Sequence, residues 1–93
     1  MISREIVDKT IPILKSHGVA RASIFGSFVR GEETPKSDID LLIKPPRGMT
    51  LFGLGKLCSD LKETLHRTVD LVQYDYIEPA LRESIMSEKI DIL

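Results

Sequence analysis

Apolar residues recur along the chain at two spacings, and these spacings predict its helices and strands. In residues 3–17 and 51–66, apolar positions return every three or four residues, as on one face of an amphipathic helix. Shorter apolar runs in residues 19–25, 38–43 and 69–73 predict strands. Residues 44–50, with two prolines and a glycine, mark a clear loop between the second strand and the helix that follows.

The remaining elements come from turn and capping signals. Gly18 is placed to end the first helix, whereas Pro12 predicts either a kink or two short helical pieces. Pro79 opens a C-terminal helix with Glu78 as its cap, and residues 90–93 form a short last strand. This order predicts an α+β fold, a small mixed sheet with helices packed on one face, in a single domain spanning residues 1–93.

Two acidic residues interrupt the second predicted strand. Asp38 and Asp40 project from one face, about 7 Å apart along the strand. An unpaired buried carboxylate is costly, and the usual compensation is a divalent cation bound by oxygen ligands. Upstream, Gly26 and Ser27 form a turn, and residues 27–31 a helical turn, whose free N–H groups suit a phosphate. A metal beside a phosphate suggests a nucleotide site.

This arrangement resembles the DNA polymerase β-like nucleotidyltransferase superfamily. The matching motif residues are Gly26, Ser27, Arg30, Gly31, Asp38 and Asp40. The whole chain is similar to the minimal nucleotidyltransferase (MNT) proteins, which act as antitoxins in HEPN/MNT toxin–antitoxin pairs. The resemblance implies a nucleotidyltransferase fold and a third carboxylate on a later strand, where Asp70 fits.

The resemblance also implies a reaction, in which AMP moves from ATP to a protein hydroxyl, in some relatives a tyrosine of the HEPN toxin. The implied catalytic residues and ligands of two Mg²⁺ ions are Asp38, Asp40 and Asp70. The implied triphosphate contacts are Gly26, Ser27 and Arg30. Arg30 could equally face the acceptor or solvent.

Other interpretations stay open at this point. The aspartates could be solvated residues at a strand edge, and Gly26–Ser27 a plain turn. The protein could be a non-catalytic antitoxin that masks the toxin by binding, or a transferase for a small molecule such as an aminoglycoside. Nucleotide preference, acceptor identity and the number of AMP units also stay open, as does a homo-oligomer against a hetero-oligomer with the toxin.

Composition narrows the setting in which the protein works. The 13 basic and 14 acidic residues give a net charge of −1, which argues against direct binding of nucleic acid. No apolar run approaches the roughly 20 residues of a membrane span, and the N-terminus lacks a signal-peptide pattern. Cys58 is the single cysteine, and we predict a core residue in a cytoplasmic protein.

Overall fold

The computed structural model describes residues 3–93 and contains the predicted elements in the predicted order. The elements are α1 (Arg4–Ser16), β1 (Arg21–Phe25), α2 (Ser27–Arg30), β2 (Ile39–Lys44), α3 (Leu51–Leu65), β3 (Val69–Gln73), a 3₁₀ turn (Tyr74–Tyr76), α4 (Pro79–Glu88) and β4 (Ile90–Asp91). The strands form one sheet in the order β3-β2-β1-β4. Strands β2 and β3 are parallel, and β1 runs antiparallel to β2 and β4, which confirms a mixed α+β sheet.

The main core lies between one face of the sheet and helices α1 and α3. Alternate strand residues point into it, and Ile39, Leu41 and Ile43 of β2 are fully buried. Leu14 of α1 and Leu57 of α3 meet them. Alternation along the strands leaves the other set of side chains for the opposite face.

The opposite face is only partly covered. A smaller cluster joins Phe25 and Leu42 of the sheet to Tyr74, Ile77 and Ile85, so α4 and the 3₁₀ turn lie against this face. The predicted picture of helices on one face therefore holds for α1 and α3, while α4 packs on the other. The uncovered part of this second face carries the acidic residues.

Strand β2 begins one residue later than predicted. Asp38 precedes the strand, and the ladder starts where the Ile39 N–H donates to the Thr68 carbonyl at 2.9 Å. Strand β3 begins only at Val69, and Phe25 of β1 pairs with Asp40. Asp38 thus has no strand partner on either side, and it lies in the loop that leads into the sheet.

The helices begin and end at capping residues. Ser3 and Thr50 each accept a hydrogen bond from a backbone N–H in the first turn of α1 and α3. Of the two alternatives predicted at Pro12, a kink or two short pieces, the second is wrong, because α1 is one continuous helix with Pro12 exposed on its surface. No helix within residues 3–93 combines the length and apolar character needed to cross a bilayer.

Candidate functional site

Two of the predicted site aspartates are direct neighbours in the sheet. Parallel pairing of β2 and β3 places Asp40 opposite Asp70. Adjacent strands lie about 4.8 Å apart, and residues in register point to the same face. Asp40 is partly buried and Asp70 is exposed. Both lie on the face away from the main core, where solvent or a ligand can reach them.

The electrostatics of Asp40 show that the acidic residues share one region. The pKa of Asp40 is raised from 3.8 to about 6, mainly by burial and also by the nearby carboxylates of Asp70 and Asp38. The Arg30 guanidinium acts in the opposite direction. Asp38 is exposed and outside the strand, yet it is close enough for its charge to act on Asp40.

Gly26 brings the Gly-Ser turn into contact with Asp40. Its backbone has φ 81° and ψ −152°, a conformation that in practice only glycine adopts. A Cβ atom at this position would overlap Oδ2 of Asp40 and lie 3.1 Å from its Cγ. Ser27 follows as the first residue of α2 and is half-buried. The Gly-Ser turn therefore lies directly against Asp40.

Glu88 also belongs to this site, although no pattern in the sequence indicated it. From the end of α4 its carboxylate accepts a hydrogen bond from the Gly26 N–H at 2.9 Å. The same carboxylate accepts from Nη1 of Arg30 at 3.1 and 3.2 Å, and Arg30 Nε donates to Glu32 at 2.7 Å. An anionic group thus already occupies the N–H and guanidinium predicted to bind phosphate.

The donor chemistry of the site fits a hard divalent cation. Three carboxylates supply only oxygen ligands, which Mg²⁺ prefers. Within residues 3–93 no three His, Cys, Asp or Glu side chains are arranged as they stand to hold one ion. Burial is the main cause of the raised pKa of Asp40, and repulsion by the carboxylates of Asp70 and Asp38 adds to it. A cation would remove that repulsion.

The pKa of Asp40 predicts how stability depends on pH. An acid whose pKa is higher in the folded state binds its proton more tightly there. Its ionisation therefore costs stability as pH rises from about 4 through about 6, and the metal-free protein should become more stable as pH falls through that window. Urea unfolding between pH 7.5 and 4.5, with a chelator present, measures the effect.

An Asp40→Asn variant is the matched control for this titration, because it cannot ionise at that position. We expect the stability difference between variant and wild type to favour the variant at pH 7.5 and to shrink toward pH 4.5. Asp91 does not interfere, because its pKa is lowered by Lys89 and Ser23 and it titrates below its ordinary value of 3.8. A difference that stays constant with pH would contradict the assignment to Asp40.

Comparison with known proteins places the chain among the nucleotidyltransferases, by both sequence and structure. Residues 7–92 match the family described as a nucleotidyltransferase domain. A protein of Methanocaldococcus jannaschii, provisionally named a protein adenylyltransferase, is 46% identical over 89 residues that cover 96% of each chain. A solved structure provisionally described as a minimal nucleotidyltransferase has a TM-score of 0.80 and 34% identity, covering 94% of this chain and 89% of the other.

A further solved structure resembles this fold at lower identity. It contains a tri-AMPylated HEPN toxin of Shewanella oneidensis in complex with MNT antitoxin, and it matches with a TM-score of 0.75 and 18% identity. The match covers 97% of this chain and 71% of the other. At this identity the likeness establishes a common fold only.

The fold and the acidic site define a metal-dependent nucleotidyltransferase, an enzyme that takes a nucleotide as substrate. Within that class, the protein belongs to the nucleotidyltransferase domain family and matches a minimal nucleotidyltransferase over almost its whole length. The predicted family and fold are confirmed. The roles of individual residues stay predictions.

Proposed function

We propose that the protein transfers AMP from ATP to a tyrosine hydroxyl of a HEPN-domain partner protein. By this modification it would act as the antitoxin of that partner. The observation that carries this proposal is the pairing of Asp40 with Asp70 directly beside the Gly26 turn. The name of the Methanocaldococcus relative and the AMPylated HEPN complex support the choice of nucleotide and acceptor.

The metal ligands in this proposal are Asp38, Asp40 and Asp70, holding two Mg²⁺ ions. When bound, the ions would neutralise charge on the triphosphate and lower the pKa of the acceptor hydroxyl. At neutral pH Asp40 is mainly ionised even with a pKa of about 6, so it is available as a ligand. Below that pH a proton competes with the metal for the same oxygen atoms.

The anion-binding groups in the proposal are the Gly26 N–H and the Arg30 guanidinium. Both bind the Glu88 carboxylate in the structure, so both are oriented toward an anion. The β- and γ-phosphates would take the place of this carboxylate, with the Ser27 hydroxyl as a further donor. This positioning leaves the α-phosphate toward the aspartates, where the acceptor can attack it.

The transfer step needs no reactant other than ATP and the acceptor hydroxyl. The acceptor oxygen forms a bond to the α-phosphorus, the bond from that phosphorus to the pyrophosphate oxygen breaks, and pyrophosphate leaves. Asp70 receives the hydroxyl proton in this proposal, since it is exposed to an incoming acceptor and stands next to Asp40. Most of the energetic benefit comes from positioning and charge neutralisation.

The openness of the site favours an acceptor on another macromolecule. Asp38 and Asp70 are exposed, and α4 covers only the part of that face around Leu42 and Phe25. A tyrosine on a protein surface can therefore approach from the uncovered side. The partner would also supply the contacts that bring the hydroxyl to the α-phosphate, giving a hetero-oligomer during the reaction.

The test uses the product of a neighbouring HEPN gene, Mg²⁺ and ATP labelled either at the α- or at the γ-phosphate. We expect label on the partner only from α-labelled ATP, because pyrophosphate carries the γ-label away. Peptide mass spectrometry then identifies the modified side chain. Failure of a folded protein to label an authentic, folded partner would refute the proposal, and label from the γ-position would indicate a kinase instead.

Removing the charge of Glu88 should strengthen nucleotide binding. The Glu88 carboxylate must leave the Gly26 N–H and Arg30 before phosphate can bind, and its charge repels the triphosphate. For Glu88→Gln we expect a Kd for Mg²⁺–ATP lower by roughly three- to tenfold, or about 1 kcal/mol. Isothermal titration calorimetry at constant ionic strength measures the change.

Glu32→Gln is the matched control for that prediction. Glu32 also pairs with Arg30, at 2.7 Å, but it does not bond to Gly26. Loss of this exposed partner should change nucleotide affinity much less. Equal effects of the two substitutions would mean that only the general charge matters, and weaker binding by Glu88→Gln would place the phosphates elsewhere.

A further inference from the structure

We propose that Arg67 is the positioning residue that aligns Asp38 with the other parts of the active site. It lies in the connection between α3 and β3, three residues before Asp70, and its side chain donates to backbone carbonyls of the 34–37 loop. The proposal rests on the function proposed above. It adds a residue whose task is to hold a metal ligand that the sheet itself does not hold.

The guanidinium of Arg67 binds the loop that leads to Asp38. Its Nη1 atom lies 3.0 Å from the Thr34 carbonyl oxygen, 3.3 Å from that of Pro35 and 3.3 Å from that of Ser37. This nitrogen carries two hydrogens, so the three acceptors share them. The loop is also closed on itself, since the Ser37 N–H donates to the Thr34 carbonyl and the Thr34 N–H to Ser37 Oγ.

Asp38 is consequently fixed from both sides by consecutive residues of one segment. The preceding carbonyl, of Ser37, accepts from Arg67, and the following N–H, of Ile39, donates to the Thr68 carbonyl at 2.9 Å. Asp38 itself is exposed and has no strand partner. Its position relative to Asp70 therefore depends on these two contacts to residues 67 and 68.

The same guanidinium also reaches the Gly-Ser helix. Its Cζ atom lies 5.1 Å from the centre of the Phe28 ring, within the range of a cation–π contact. Phe28 is almost fully buried in the main core and is the second residue of α2. Arg67 thus contacts the helix that begins with Ser27, the loop that ends at Asp38, and by its own backbone the strand that carries Asp70.

Lysine could not reproduce this set of contacts. A guanidinium is flat, so one face can stack on Phe28 while an edge donates to carbonyl oxygens. An ammonium is a compact point donor with no plane to stack. The arrangement therefore distinguishes a need for arginine from a need for positive charge, and this difference supplies the test.

The experiment compares Arg67→Met, Arg67→Lys and the control Arg47→Met, an exposed arginine in the β2–α3 connection. Each full-length variant is measured for urea stability, amide hydrogen exchange and AMP transfer to the partner. For Arg67→Met we expect kcat to fall roughly ten- to hundredfold, with a higher Mg²⁺ concentration at half-maximal rate. The KM for ATP should change less than about threefold, because Gly26 and Arg30 are untouched.

The readouts separate positioning from simple structural support. We expect the Ser37 and Ile39 amides to exchange faster in Arg67→Met, while the amides of β1 and those further along β2 keep the rates of the control. Arg67→Lys should recover part of the stability but little of kcat. A kcat loss that merely follows the unfolded fraction, or unchanged exchange at these two amides, would overturn the proposal.

Failure of the proposed function is distinguishable in the same experiment. If wild-type protein transfers no AMP, the proposed enzyme activity is refuted, whereas amide exchange still decides whether Arg67 orders the Asp38 loop. Mn²⁺ titration by electron paramagnetic resonance provides a second readout that needs no turnover. Weaker Mn²⁺ binding in Arg67→Met than in Arg47→Met would support the role, and equal binding would contradict it.

Discussion

An Asp40→Asn variant is expected to lose about a thousandfold in AMP-transfer rate while becoming more stable than wild type at pH 7.5. The loss corresponds to roughly 4 kcal/mol of transition-state stabilisation, the scale on which a bound metal acts. The gain in stability follows from removing a charge that burial, Asp70 and Asp38 all disfavour. Single-turnover rates and urea unfolding, measured on the same preparation, test both halves.

The opposite signs of the two effects make this variant informative. Most substitutions that abolish activity also destabilise the protein, so a lost activity is open to a trivial explanation. A variant that is inactive but more stable than wild type cannot be explained by unfolding. Asp8→Asn, which removes one exposed carboxylate from α1, provides the matched control, and we expect both its activity and its stability to stay close to wild type.

The same substitution separates catalysis from masking. In cells that express the proposed HEPN partner, an Asp38→Asn, Asp40→Asn double variant should fail to neutralise the toxin if AMP transfer is required. Binding of the partner to the double variant is measured in parallel, so that a loss of neutralisation with binding intact can be assigned to AMP transfer. Full neutralisation by the double variant would show that occupancy of the partner is sufficient, and the enzyme would then be incidental to the antitoxin role.

Local rules predicted the parts of the site that lie within single elements. Strand alternation correctly placed Asp40 on the face opposite the core, where it is partly buried. The cost of burying a charge does not apply to Asp38, which is exposed and lies before the strand. The Gly-Ser turn was visible from residue type, and the structure gives Gly26 a positive φ as that type suggests. The strand order and the Asp40–Asp70 register needed the structure.

Contacts between distant segments were not predictable in this way. Glu88 and Gly26 are 62 residues apart, and Arg67 and Thr34 are 33 apart. By sequence alone, a glutamate at a helix end or an arginine in a connecting loop cannot be distinguished from an ordinary solvated surface residue. The sequence alone assigns Asp38 to the second strand because the apolar alternation continues through it. In the structure β2 begins only at Ile39, because Asp38 has no pairing partner in β3, and this depends on tertiary structure.

The sequence predicted which face of a helix is apolar, but not how much of that face is buried. The apolar stripe of α3 correctly includes Leu57 and Leu61, which are fully buried. Leu51 belongs to the same stripe by spacing but is 84% exposed in the first turn. In α4, Ile85 is buried while Leu81, four residues earlier on the same face, is half exposed. Periodicity identifies which face of a helix is apolar, but the extent of the partner surface decides how much of that face is covered.

Gly26→Ala is expected to reduce both stability and activity, through two separate effects of a single methyl group. The backbone at Gly26, with φ 81° and ψ −152°, disfavours any residue with a Cβ by about 1–3 kcal/mol. The methyl would also overlap Oδ2 of Asp40, so that carboxylate must rotate away from the turn. Since a misplaced catalytic group costs on the order of a hundredfold in rate, we expect at least that loss in kcat.

Gly48→Ala is the control that carries the backbone strain without the clash, so comparing the two variants isolates the effect of the clash with Asp40. Gly48 also has a positive φ, of 87°, but a Cβ there would meet nothing within 4 Å, and the loop lies outside the site. It should lose about 1–2 kcal/mol of stability from backbone strain and keep its kcat. If both alanine variants lost activity in proportion to their lost stability, contact between the turn and Asp40 would have no catalytic meaning. A large kcat loss confined to Gly26→Ala would instead show that the glycine is needed for its close approach to the Asp40 carboxylate, in addition to its backbone freedom.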